Sequence, residues 1–239
     1  MESSNIIKSF FSKDELNPKI WESDNSLNTE VRTKLLEIAN EFIEFLGVPI
    51  IVDDVIFTGS LANFNWSEYS DIDLHIVCDF EQFDKELLPL HQELFTVKKT
   101  IFNTNHDIRI FGYEVELYTQ NSSESHFSSG VYSVMFDKWE VKPEKENPKI
   151  DTELLKSKIK NWTNQIDTVV KSASLKNIDE AREYIKKFNE KLKKYRSSGL
   201  KEGGEYSYEN LVFKYLRRSN YLEKLFNLEN NLLDKELSL

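Results

Sequence analysis

The sequence predicts an N-terminal α/β domain with a mixed sheet flanked by helices, followed by a C-terminal helical bundle. Three observations carry that expectation. Short apolar runs at 53–60, 70–80, 108–120 and 130–136 alternate or cluster as strands do. Apolar residues recur at three- and four-residue spacing over 28–47 and again throughout 151–239, the mark of a helix face. Between these textures lies VKPEKENPK, charged, punctuated by Pro143 and Pro148, with no large apolar residue beyond Val141 at its edge. The expected organisation is a domain over 1–142, a linker over 143–150 and a helical domain over 151–239.

In the first helix, 28–47, Val31, Leu35, Ile38, Phe42 and Leu46 share a face, Asn28 can cap the start, and Gly47 with Pro49 supplies the stop. DDVIFTGS (53–60) reads as a strand that ends in a tight turn. In SDIDLHIVCDF (70–80), Ile72, Leu74 and Ile76 alternate with Asp71, Asp73 and His75, as in a half-buried strand. A helix is expected over 81–103, a hairpin around Gly112 within 108–120, and a last strand at 130–136. Three further helices are expected. Leu155, Ile159, Trp162, Ile166 and Val169 mark the first, and Ile178, Ala181, Ile185, Phe188, Leu192 and Tyr195 the second. Leu211, Tyr215, Leu222 and Phe226 mark the third, its stripe interrupted near Arg218. Gly199, Gly203 and Gly204 are expected to break the chain before it.

Composition narrows the classes of function. The 239 residues carry 31 Lys and Arg against 41 Asp and Glu, a net charge of −10, and 39% are hydrophobic. With 7 Gly and 5 Pro, a collagen-like or wholly disordered chain is excluded. The single cysteine, Cys78, cannot form an internal disulfide or a cysteine-rich zinc site, and reads as a small buried hydrophobe. No run of 18 apolar residues occurs, and MESSNIIKSFFSKDE lacks the basic and apolar regions of a signal peptide, so a cytoplasmic protein with no membrane span is expected. Residues 1–150 hold 13 basic and 27 acidic side chains, residues 151–239 hold 18 and 14. An acidic front half suits carboxylates gathered around metal ions, and the basic back half can offer a local phosphate-facing patch.

The informative stretch is TGSLANFNWSEYSDIDLHIV (58–77). Gly59 and Ser60 follow an apolar strand, and Asp71-Ile72-Asp73 opens another. Side chains alternate along a strand, so Asp71 and Asp73 project from one face, about 7 Å apart, where both can share divalent cations. The glycine lets backbone approach a triphosphate, and Ser60 adds a hydroxyl and an N–H.

Phe57-Thr58-Gly59-Ser60 and Ser70-Asp71-Ile72-Asp73-Leu74 together resemble the signature of the DNA polymerase β-type nucleotidyltransferase superfamily, especially its minimal and kanamycin-type antibiotic members. The resemblance covers roughly residues 28–120; Phe64 departs from it, standing where many minimal members have glycine. A looser likeness, from Lys98 through Val134, is to uncharacterised nucleotidyltransferases encoded by tailed phages. The resemblance implies a third carboxylate on a later strand. Glu116 in YEVELY has the required apolar–acid–apolar form, with Glu114 as competitor on the same face. Gly112 and Tyr113 put Glu114 nearer the hairpin turn, which favours Glu116.

What the resemblance implies is an enzyme that transfers a nucleoside monophosphate from an NTP, ATP by default, to a hydroxyl acceptor. Asp71, Asp73 and Glu116 would bind two Mg²⁺ or Mn²⁺ ions, with Glu116 acting as or positioning the base. Gly59 and Ser60 would border the nucleotide, and Lys98 and Lys99 could reach its triphosphate. The acceptor is left open by the resemblance; the basic residues of 151–239 tilt the expectation towards an RNA or tRNA 3′ end or a nucleotide, over a protein or a small molecule. For a nucleic acid, the phosphate contacts would be Lys186, Lys187, Lys193, Lys194, Arg196, Arg217 and Arg218. Two alternatives stand beside this reading: a catalytically silent nucleotide-binding module that docks a partner, and a toxin- or antitoxin-like enzyme that nucleotidylates a protein. His75 reads mainly as a flanking histidine, His126, Ser128 and Ser129 as a polar loop, and Trp139 and Trp162 as packing residues.

Overall fold

A computed structural model describes residues 2–125, 128–173 and 175–238; His126 lies outside them. In chain order the elements are α1 (Glu2–Lys8), α2 (Thr29–Leu46), β1 (Asp54–Thr58), β2 (Ile72–Cys78), α3 (Leu88–Asn105), β3 (Arg109–Ile110), β4 (Tyr113–Asn121), β5 (Val131–Ser133), β6 (Lys138–Val141), α4 (Thr152–Ala173), α5 (Ile178–Gly203), α6 (Tyr208–Arg218) and α7 (Tyr221–Leu237). Two compact units result: residues 11–147 form one, and residues 1–10 with 148–239 the other. The first ten residues, grouped by sequence with the α/β domain, thus belong to the helical unit. Arg218 of α6 lies over the Phe10 ring at 5.2 Å and donates to Ser9 Oγ at 2.6 Å, and Ile6 is buried.

The α/β unit is a six-stranded mixed sheet in the order β3-β4-β2-β1-β5-β6. Only β2 and β4 run parallel, because α3 carries the chain back across the sheet between them; the other neighbours are antiparallel. The strand alternation read from sequence sorts the two faces. Ile72, Leu74 and Ile76 of β2, with Phe57 and Leu117, are buried in one core with Leu35, Phe42 and Leu46 of α2 and Phe95 and Phe102 of α3. Asp73 and His75 sit half-buried on the opposite face. The Asn28 side chain caps α2 by accepting from Glu30 N and Val31 N at 2.9 and 3.2 Å, and Gly47 ends it at φ 72°.

Three elements differ from the sequence expectation. Residues 81–87 do not join α3: Asp79 caps a short turn through Glu81 N at 2.8 Å, and the helix starts at Leu88, with Pro89 in its first turn where a missing N–H costs nothing. A sixth strand, β6, follows β5 through Asp137 at φ 57°, a left-handed corner that accepts from Tyr132 O–H at 2.8 Å. In the helical unit the third expected helix is two, α6 and α7, broken at Asn220 with φ 60°. Leu211 and Tyr215 are buried, whereas in α7 the buried residue is Leu225 and Phe226 is 62% exposed. No helix among the described residues is long and apolar enough to cross a membrane.

Gly199 does not break α5, which runs on to Gly203. It permits close packing instead: a Cβ there would lie 2.3 Å from Glu209 Cβ of α6. Alanine in a helix ordinarily gains about 0.5–1 kcal/mol over glycine, whereas overpacking costs about 1–3 kcal/mol. Gly199→Ala is therefore expected to lower Tm by about 2–4 °C, the shift for a net loss near 1 kcal/mol in a chain of this size. Thermal unfolding checks it, and a Tm at or above wild type would mean that α5 and α6 separate freely.

Candidate metal centre

Strand register assembles the carboxylates. Asp73 faces Thr58 on one side and Glu116 on the other, so Asp73 and Glu116 are lateral neighbours on one face of the sheet. Asp71, two residues earlier at the mouth of β2, joins them. One oxygen from each of Asp71, Asp73 and Glu116 lies within 4.8 Å of the other two, and all three side chains are half-buried. Glu114, the competitor, sits beside the turn at Phe111 and Gly112 and forms an ion pair with Arg109 at 3.7 Å. The fold therefore gathers Glu116 and leaves Glu114 at the hairpin.

Gly59 is fixed by this arrangement. Its backbone has φ 83° and ψ −167°, a region essentially reserved to glycine. A Cβ there would lie 1.9 Å from Asp73 Oδ2. Ser60 opens a single 3₁₀ turn, and its hydroxyl donates to Ser70 Oγ at 2.7 Å, which in turn accepts from Ser67 N at 3.0 Å. This closes the loop that delivers Asp71. Phe64 turns inward and packs against the core.

Glu116 has a companion that the sequence reading missed. Tyr118, two residues along the same face, donates its phenolic O–H to Glu116 Oε2. Burial, then that hydrogen bond and the charges of Asp73, Glu116 and Asp71, push its phenol far up and keep it protonated as the donor. The His75 ring stacks on Tyr118 at 4.8 Å and 21°, and its Nδ1 donates to Gln120 Oε1 at 2.8 Å. Alternation in YEVELYTQ puts Glu116, Tyr118 and Gln120 on one face, the only trace that sequence offered.

Of the two lysines, Lys99 places Nζ 4.6 Å from the Tyr118 ring, at the border of the centre. Lys98 goes elsewhere: its Nζ donates to Phe45 O at 2.9 Å, where α2 ends and carbonyls attract a cation, so the fold does not gather it with the carboxylates. An open cleft of about 650 Å³ adjoins the face, lined by Thr58, His75, Gln120, Glu124 and Ser128 among others. Ser129 Oγ accepts from Asn63 Nδ2 and so serves the loop. Trp139 stacks on Trp21 at 4.5 Å and Trp162 packs on Tyr195 at 4.6 Å, both as packing residues. Burial pushes the Cys78 thiol up to about 11, in keeping with an inert core position.

No family model, curated protein or solved structure matches this chain. The chemistry of the centre therefore carries the functional reading. Three hard oxygen donors with room between them suit a divalent cation. Among the described residues, no lysine or arginine lies within 4 Å of the Asp71 or Glu116 carboxylate to neutralise it from inside the chain. Three clustered negative charges repel one another, so a cation bound there stabilises the fold. At a free metal concentration one hundred times Kd the linkage is about 2.7 kcal/mol, a rise of roughly 5–10 °C in Tm for a chain of this size. Thermal unfolding in chelator and then in millimolar Mn²⁺ should display it. A curve that Mn²⁺ leaves in place in the wild type would remove the metal centre.

Proposed function

We propose that the protein is a metal-dependent nucleotidyltransferase of the DNA polymerase β type, with that superfamily's fold in its α/β unit. It transfers a nucleoside monophosphate from an NTP, ATP by default, to a hydroxyl acceptor and releases pyrophosphate. The observation that carries this reading is the convergence of Asp71, Asp73 and Glu116 within 4.8 Å, beside a Gly59 turn with no space for a side chain. The motif order supports it too, since Gly59-Ser60 ends one strand and Asp71-x-Asp73 opens its neighbour.

Asp71, Asp73 and Glu116 would hold Mg²⁺ or Mn²⁺, which neutralises the charge of the triphosphate and of the leaving pyrophosphate. The chain's own residues do the rest. Gly59 brings backbone up to the phosphates, and the Ser60 N–H is the donor nearest the turn. Tyr118 fixes Oε2 of Glu116, which leaves Oε1 to accept the proton of the acceptor hydroxyl. The acceptor oxygen bonds to the α-phosphorus while the bond from that phosphorus to the bridging oxygen breaks. Lys99, with Nζ 4.6 Å from the Tyr118 ring, would offer a cation to the outgoing phosphates.

The test supplies each α-labelled NTP with Mg²⁺ or Mn²⁺, total RNA and cell lysate, comparing wild type with Asp71→Asn/Asp73→Asn. Label is expected in an acceptor with the wild type alone, and its location in RNA, a small molecule or a protein names the acceptor class. Nucleotide binding with no pyrophosphate released under any condition would replace this reading with a silent nucleotide-binding module.

A further inference from the structure

The proposed transfer leaves its acceptor open, and the cleft beside the metal centre bears on it. That cleft holds about 650 Å³, a volume usual for small-molecule sites, and is lined by Thr58, His75, Gln120, Glu124 and three serines after β4. All of these lie in the α/β unit. The cleft starts one side chain from the carboxylates. Thr58 is the lateral neighbour of Asp73, and the His75 ring stacks on Tyr118, whose O–H is donated to Glu116 Oε2.

Its wall is built from ordered polar groups. Thr58 and Gln120 are only 8% and 9% exposed, yet both are polar and both line the cleft. Burying a hydroxyl or an amide is costly unless it is hydrogen-bonded. Gln120 Oε1 accepts from His75 Nδ1 at 2.8 Å, and His75 Nε2 lies 3.4 Å from Thr58 Oγ1. The three side chains thus hold one another in place. The serine hydroxyls, each able to donate and to accept, complete the lining.

Among the described residues, no lysine or arginine lines this cleft, and Lys99, over the Tyr118 ring, is not part of its lining. Its one carboxylate, Glu124, adds to the three of the adjoining centre. A phosphate seated there would meet negative charge with no lysine or arginine of the lining to offset it. A polynucleotide end cannot avoid that, because a phosphodiester lies within one nucleotide of its 3′ hydroxyl. Of the basic residues that sequence offered for such phosphates, Lys187 is paired with Glu183 at 2.7 Å and Arg218 donates to Ser9. We infer, resting on the transfer proposed above, that this cleft is the acceptor site and that the acceptor is an uncharged small molecule with several hydroxyl groups. One hydroxyl gives its proton to Glu116 Oε1 as its oxygen bonds to the α-phosphorus. The bond from that phosphorus to the bridging oxygen breaks, and pyrophosphate leaves with the electron pair. The hydroxyls that do not react are matched by Thr58, Gln120 and the serines.

The experiment incubates the full-length protein with α-labelled ATP, Mn²⁺ and, separately, the total RNA, the total protein and the RNA- and protein-free filtrate of one cell lysate. The filtrate is used untreated and after phosphatase, which is removed before ATP is added. Label is expected in the filtrate alone and at the same level after phosphatase, since an uncharged acceptor has no phosphate to lose. Gln120→Leu takes the amide out of the wall. It should raise the half-saturating amount of filtrate about tenfold, the scale of one hydrogen bond, while kcat changes less than about threefold. A melting curve verifies that this variant is folded, and the wild-type labelling pattern stands independently of it. Label in RNA or in protein, or filtrate labelling abolished by phosphatase, overturns the inference and leaves nucleotidyl transfer in place. Pyrophosphate released with label in no acceptor does the same, as does a folded Gln120→Leu protein with an unchanged half-saturating amount. No pyrophosphate with any preparation fails the transferase reading itself, and the acceptor site falls with it.

Discussion

Asp73→Asn is expected to lower nucleotidyl transfer by at least about 10²–10³-fold, the scale of losing one preorganised charge-stabilising group. Asp73 is the central member of the trio: its strand neighbours are Thr58 and Glu116, and its Oδ2 fills the space that Gly59 leaves open. Asparagine keeps the shape, so the fold survives while one negative charge leaves the centre. The measurement is kcat at saturating nucleotide and metal, with melting curves in chelator to show that the variant is folded. A folded variant losing less than tenfold would mean that Asp73 is not a metal ligand. Glu114→Gln is the internal control, expected to stay within about twofold of wild type, because Glu114 is bound to Arg109 on the hairpin and exposed pairs of that kind contribute little.

Gly59→Ala should be nearly as damaging to activity, with stability affected as well. The added methyl would meet Asp73 Oδ2 at 1.9 Å, and the backbone at φ 83° disfavours any side chain. Strain of that kind costs of order 1–3 kcal/mol. Something must move, and the group nearest is the Asp73 carboxylate of the acidic cluster. We therefore expect a lower Tm, a Mn²⁺ stabilisation that is largely lost, and transfer reduced at least about 10²-fold, comparable to removing a charge-stabilising group. Gly112→Ala separates the two causes. Its φ is 93°, equally unfavourable for alanine, but a Cβ there meets nothing within 4 Å. That variant should lose stability yet keep its full response to Mn²⁺. Equal metal responses in the two variants would show that crowding at Asp73 is not what Gly59 prevents.

Much of this was legible in the sequence wherever a single physical period governs. The face of α2 from Val31 to Leu46 and the alternation in β2 are set by helix and strand geometry alone, and each apolar position read there is buried. The pair Asp71 and Asp73 was visible for the same reason, and the hairpin at Gly112 sufficed to separate Glu116 from Glu114. Features decided by a side chain's particular partner were hidden. Lys98 and Lys99 are adjacent in sequence, yet one is captured by the end of α2 and the other lies over an aromatic ring. Tyr118 gains meaning only through its hydrogen bond to Glu116 and its stacking on His75. The break between α6 and α7 rests on one left-handed asparagine, and the glycine expected to break α5 instead lets α6 pack close.

The parallel pairing of β2 with β4 has a consequence for biogenesis. Asp73 and Glu116 sit on adjacent strands, yet α3 must be made and docked before they can meet. A nascent chain halted before Tyr113 would already carry its first two acids and still lack the third. Contacts of such long sequence separation form late, after the closure entropy of the intervening segment has been overcome. The complete cluster of three carboxylates is thus assembled only near the completion of the sheet.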